Sequence, residues 1–113
     1  MQITKKEFLN RMTTRPHVFM GITRRPVELD RIWETAYKID ELIAEQTFEN
    51  PLLIRNAEKH SNHLRFSDGS RLYFDRGKYR FRDISFGSRT VLEVEMDLEC
   101  ACYTKYMYYY VLD

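Results

Sequence analysis

The chain has 113 residues and a net charge of +1. That is the length of one domain (1–113), and the charge balance excludes a general polyelectrolyte attraction to nucleic acid or anionic membranes. No apolar run approaches the ~18 residues a membrane-crossing helix needs, so no membrane partner is expected. Two cysteines and five methionines, with no signal-like start, lead to the expectation of a reducing, cytoplasmic setting.

Thr4-Lys5-Lys6-Glu7 has the form of a capping box, with Thr4 as N-cap and Glu7 at N3. It predicts a short helix over about 5–12 whose apolar side is Phe8, Leu9 and Met12. His17 to Ile22 reads as a strand or an extended link. Pro26 suits the first turn of a longer helix, about 26–46. There Leu29, Ile32, Trp33, Ala36, Ile39, Leu42 and Ile43 recur at helical spacing. Trp33 is the largest expected piece of the core beneath it. Asn50-Pro51 ends the helical region, 52–55 is expected as a first short strand, and Asn56 to Ser61 as a polar connection.

Ser61 to Asp97 reads as a four-stranded antiparallel meander. A three-residue loop at Ser67-Asp68-Gly69, with Gly69 left-handed in a G1 bulge, pairs Leu64 with Leu72 and keeps the faces segregated. A two-residue turn at Arg76-Gly77 pairs Phe74 with Tyr79 and Arg71 with Arg82. Gly87-Ser88, glycine first as a type II′ turn wants, pairs Arg82 with Glu93, Arg80 with Glu95 and Lys78 with Asp97. The three turns agree on one inner face, running from Leu64, Phe66 and Leu72 to Phe81, Val94 and Met96. The outer face carries two long rows, His63-Tyr73-Arg80-Glu95 and Arg65-Arg71-Arg82-Glu93, and a short one, Asp75-Lys78-Asp97. Asp83 falls inside and Ile84 and Val91 outside, which calls for a bulge near Arg82-Asp83.

Beyond Met96 the alternation continues through Leu98, Cys100 and Cys102. Tyr106 to Leu112 is read as a last strand returning beside it, with a helical or extended tail as the alternative. The expected fold is therefore α+β. It is an antiparallel β-meander of four to six strands (about 52–55, 62–66, 70–75, 78–86, 89–103 and 106–112). The main helix packs on the inner face of the sheet.

Chemical motifs are few. Cys100 and Cys102 lie on one side of a strand without the second ligand pair a zinc site wants, so buried inert thiols, no metal and no disulfide are expected. His60-x-x-His63 is a weak ligand pair. His63 beside Tyr73 and Arg80 is chemically conceivable as a base, but no nucleophile or glycine-rich phosphate loop accompanies it. No enzyme and no cofactor are expected. The basic residues are twelve Arg against six Lys, with eight Tyr, the residue types that interfaces prefer. Arg65 opposite Arg71, with Arg82 next, puts like charges in cross-strand contact at a cost of a fraction of ~1 kcal/mol each. Such a row is either a solvated face or a patch of bidentate donors awaiting carboxylate or phosphate. Tyr103, Tyr106, Tyr108, Tyr109 and Tyr110 form a second cluster, either an outer edge covered by the N-terminal helix or a contact surface, with Tyr106, Tyr108 and Tyr110 facing a partner or a second copy at the C-terminal strand edge.

The expected function is a small non-enzymatic protein-binding module, an inhibitor or accessory factor, whose partner presents an acidic surface. Its binding set is His63, Arg65, Arg71, Tyr73, Arg80, Arg82, Tyr106, Tyr108 and Tyr110. In general character the chain resembles the small motif-poor inhibitors that phages direct against host defences, anti-CRISPRs among them. The alternative is nucleic-acid binding through the same Arg/Tyr/His face, which Glu93, Glu95 and Asp97 on that face oppose.

Overall fold

In the computed structural model the chain is α+β, and residues 1–45, 53–54, 56–98 and 103–112 are described. The strands are β1 (Gln2–Ile3), β2 (His17–Thr23), β3 (Leu53–Ile54), β4 (Glu58–Lys59), β5 (His63–Arg65), β6 (Arg71–Tyr73), β7 (Gly77–Asp83), β8 (Thr90–Leu98) and β9 (Thr104–Val111). The helices are α1 (Lys5–Thr14) and α2 (Leu29–Glu45). Antiparallel strands in the order β1-β7-β8-β9-β2-β3 form a six-stranded sheet, and β4-β5-β6 form a second, three-stranded one. The polar connection expected before β5 contains β4. The cysteines, residues 52 and 55 of the strand expected over 52–55, and residues 99–102 of the one expected over 89–103 lie outside the described residues.

α1 starts at the expected capping box. The Thr4 hydroxyl oxygen accepts the Glu7 backbone N–H at 3.1 Å, and Glu7 Oε1 accepts the Thr4 N–H at 3.4 Å. Two of the expected hairpin registers are present. Leu64 faces Leu72 and Arg65 faces Arg71, with Gly69 at φ +89° closing the loop. Arg82 faces Glu93, Arg80 faces Glu95 and Lys78 faces Asp97.

The meander does not run through. After Tyr73 the chain leaves the ladder, and the expected strand pairs Phe74–Tyr79 and Arg71–Arg82 do not form. β1 takes that edge of β7 instead, with Ile3 facing Phe81 and Gln2 facing Arg82. The β5–β6 hairpin folds over the large sheet, so that Leu64, Phe66 and Leu72 join one buried cluster with Phe81, Leu92, Val94, Met107 and Tyr109. Gly77 opens β7 where a Cβ would stand 2.0 Å from the Asp97 carbonyl oxygen, so only glycine fits this approach.

The inner face is thus covered by α1 and the small sheet, and α2 lies on the opposite face from the one expected. Ile32, Ala36 and Ile39 of α2 cluster with Val18, Val91, Tyr108 and Tyr110. This accounts for Ile84 and Val91, which are apolar because α2 covers their end of the outer face. No bulge intervenes there, and the Ile84 N–H donates to the Val91 carbonyl at 2.9 Å. Asp83, on the other face, accepts from Arg11 of α1 at 2.6 Å. Trp33 is only half-buried, stacked on exposed Phe86 at 4.0 Å, and is not the centre of the core. β9 lies between β8 and β2, so the C-terminal strand has no free edge for a second copy.

His17 is fully buried where the two sheets meet, with its ring edge-on to Phe66 and Tyr109. Its Nδ1 donates to the Arg15 carbonyl at 3.4 Å, and its Nε2 has no partner among the described residues. Burial pulls its pKa below 6.5, against the Arg15 carbonyl and the Asp68 carboxylate, which favour the charged ring. The unfolded chain therefore binds this proton more readily. The contribution to stability is complete above pH ~6.5 and is lost as pH falls below it. Melting temperatures taken from about pH 7.5 down to about pH 5.5 are expected to fall, and His17→Gln to flatten the slope. An unchanged slope in that variant would assign the titration to another group.

Candidate anion-binding face

β5 and β6 turn Leu64 and Leu72 toward the core, and the two-residue period of a strand then turns His63, Arg65, Arg71 and Tyr73 away from it. These four expected site residues share one surface, the outer face of the three-stranded sheet. His60, His63, Tyr73 and Arg76 form a ladder along it. The His60 and His63 rings are parallel at 4.6 Å, His63 and Tyr73 are 5.0 Å apart, and the Arg76 guanidinium sits 4.1 Å over the Tyr73 ring. Asn62 pins the ladder, its Oδ1 lying 2.8 Å from His63 Nδ1 and its Nδ2 donating to Asp75 at 3.2 Å.

The face is cationic and only partly neutralised. Arg71 reaches the Tyr73 hydroxyl at 3.4 Å. Arg65 and Arg71 make no ion pair among the described residues. Glu58 stands across from Arg65 in the ladder, but its carboxylate lies 3.5 Å from His60 Nε2. Desolvation, followed by the charges of His60, Arg71 and Arg65, holds the His63 pKa below its ordinary value, while Asp75 opposes. The ring is therefore mainly neutral at pH 7, its one N–H sits on Nδ1 and is donated to Asn62 Oδ1, and Nε2 is left as an acceptor.

Arg80, Arg82 and Tyr106 do not belong to this surface. They lie on the other side of the large sheet, on the face that α2 partly covers. Arg82 is held by Glu93 at 2.8 Å and Glu95 at 3.0 Å, and Arg80 by Glu95 at 3.3 Å. Tyr108 and Tyr110 are buried under α2. The Tyr108 hydroxyl accepts the Val27 N–H at 2.9 Å, and the Tyr110 hydroxyl donates to Asp40 at 2.6 Å. Burial pushes both phenols up to about 12. The two long rows expected on the outer face are thus each cut between β6 and β7.

Sequence reasoning missed His60 and Arg76 as parts of this face. The His60-x-x-His63 spacing was the available signal, since β4 folds back on β5 between them. Arg76 sits in a bend without periodicity. Among the described residues no group of three or more His, Cys, Asp or Glu is placed to hold a metal ion. No protein-family model matches the chain, and comparison with the curated proteins and with the solved structures returns no match.

Proposed function

We propose that the chain is a non-enzymatic binding module, an inhibitor or accessory factor, whose outer β4-β5-β6 face docks on an acidic surface of a protein partner. One observation carries this reading. Arg65 and Arg71 stand opposite each other and make no ion pair among the described residues, whereas Arg11, Arg80, Arg82 and Arg89 each make one. Like charges in cross-strand contact repel, and a partner's carboxylates relieve that repulsion with bidentate hydrogen bonds.

The nucleic-acid reading gains from the separation of Glu93 and Glu95 from this face, and loses from the ladder's geometry. Single-strand binders offer open ring faces on which bases stack. Here His63 already packs against His60 and Tyr73, and Tyr73 against His63 and the Arg76 guanidinium, so these rings are engaged within the chain. What remains outward as donors are the guanidinium N–H groups of Arg65 and Arg71, which suit carboxylate oxygens.

Arg65→Ala/Arg71→Ala is expected to shift stability by no more than ~0.5 kcal/mol, as exposed changes usually do. It should weaken partner capture about ten-fold or more, and wild-type capture should itself fall as salt rises. The measurement is capture from the native host lysate, with and without nuclease, on wild-type and double-variant columns. Binding that ignores both salt and the double substitution would remove this face from the function. Binding lost on nuclease treatment would make nucleic acid the partner.

A further inference from the structure

β2 pairs with β9 in a register that shifts between Phe19 and Gly21. Phe19 faces Tyr109 and Ile22 faces Met107, both on the side turned toward the small sheet. In an unbroken strand, residues three apart point to opposite faces. The bulge around Met20, with Gly21 at φ +147°, brings both apolar side chains to one face. They stay in solvent there, Phe19 37% and Ile22 54% exposed. Ile22 thus leaves more than half of its apolar side chain in water beside Met107.

Both residues line a cleft of about 150 Å³ between the two sheets, with Phe66, Leu72, Met107 and Tyr109 as its other apolar walls. Those four are buried and fixed by the core. A cavity of this size and lining holds a benzene-sized group. Asp68, Ser70 and Arg71 make its polar side. The Asp68 carboxylate is already engaged, its Oδ1 accepting the Ser70 backbone N–H at 2.9 Å and hydroxyl at 2.6 Å. Arg71 makes no ion pair among the described residues and reaches only the Tyr73 hydroxyl at 3.4 Å, and it belongs both to this cleft and to the cationic face.

We propose that this cleft is the anchor pocket for one large apolar side chain of an acidic partner segment, with the carboxylate beside that side chain taken by Arg71. The inference rests on the anion-binding reading of the Arg65–Arg71 face and adds the partner's sequence chemistry: a phenylalanine or leucine flanked by aspartate or glutamate. An apolar anchor in a preformed pocket beside a charged contact is the usual arrangement of an interface hot spot.

The test uses two blocked synthetic peptides, Asp-Asp-Phe-Asp-Asp and its serine counterpart Asp-Asp-Ser-Asp-Asp, titrated into the full chain and followed by amide NMR shifts. The phenylalanine peptide is expected to shift Phe19, Ile22 and Met107 and to bind about ten-fold or more tighter than the serine peptide, the scale set by burying one large apolar side chain. Ile22→Ser, at an exposed position, should keep the wild-type melting temperature and reduce the phenylalanine peptide to the level of the serine one. Equal binding of the two peptides, with shifts confined to His63, Arg65 and Tyr73, would overturn the pocket and leave the anionic face standing. No shift from either peptide at about 1 mM, together with shifts at Arg65 and Tyr73 from a single-stranded oligonucleotide, would overturn both.

Discussion

Phe8→Ala is expected to lower the unfolding free energy by about 3–5 kcal/mol, the range for removing a fully buried aromatic ring. Phe8 has no exposed surface, stacks on Phe81 at 4.7 Å and meets Tyr109 edge-on at 6.1 Å. It therefore joins α1 to two strands of the large sheet. A helix of ten residues is marginal alone whatever its capping, so α1 depends on the surface that Phe8 and Met12 bury. Urea titration measures the loss. Trp33→Ala should cost visibly less, since Trp33 is half-buried against an exposed partner. A Phe8→Ala loss under about 1 kcal/mol would show that α1 does not close this core.

Alternation along a strand tells which residues are buried, but not against what. That distinction separates the legible parts of this fold from the rest. The β7–β8 register was readable because one turn and one polar/apolar alternation fix it, down to Arg82 opposite Glu93. Leu64 and Leu72 were readable as a buried pair, yet the same pair serves a hairpin that extends a sheet and one that folds over it. The second arrangement occurs, and it moved α2 to the other face. Signals of that move were present in the apolar Ile84 and Val91 and in the tyrosines of β9, residues a solvated face would not carry.

The same logic governs the candidate site. His63, Arg65, Arg71 and Tyr73 were legible together because a single hairpin places them. Joining them to Arg80 and Arg82 required a strand pairing across residues 74–76 that the chain does not make. The cleft beside Arg71 needs β2, β9 and the hairpin loop at once, contacts far apart in sequence. The bulge that turns Ile22 into it has only Gly21 as a sequence mark.

Arg82→Ala separates a structural arginine from the proposed binding ones. It is expected to destabilise the chain by about 2–3 kcal/mol, below the ~3–5 of fully buried pairs because Arg82 keeps 31% of its side-chain surface in solvent. The cost arises from what remains. Glu93 and Glu95 side chains are only 8% and 11% exposed, and they project to the same face two residues apart. Arg82 bridges them, Nη1 to Glu93 at 2.8 Å and Nη1 and Nη2 to Glu95 at 3.0 Å. Those bonds, the Glu93 one first, hold its guanidinium pKa above the ordinary value. Without it two carboxylates share a poorly solvated site, and Arg80 reaches only Glu95. Replacing both glutamates by glutamine in the Arg82→Ala background removes the repulsion and should recover part of the loss, a non-additivity that a mutant cycle reads directly. Arg65→Ala and Arg71→Ala, measured in the same denaturant series, should leave the midpoint where it is. An Arg82→Ala midpoint equal to wild type would mean that water already solvates Glu93 and Glu95, and would return Arg82 to the list of free surface cations.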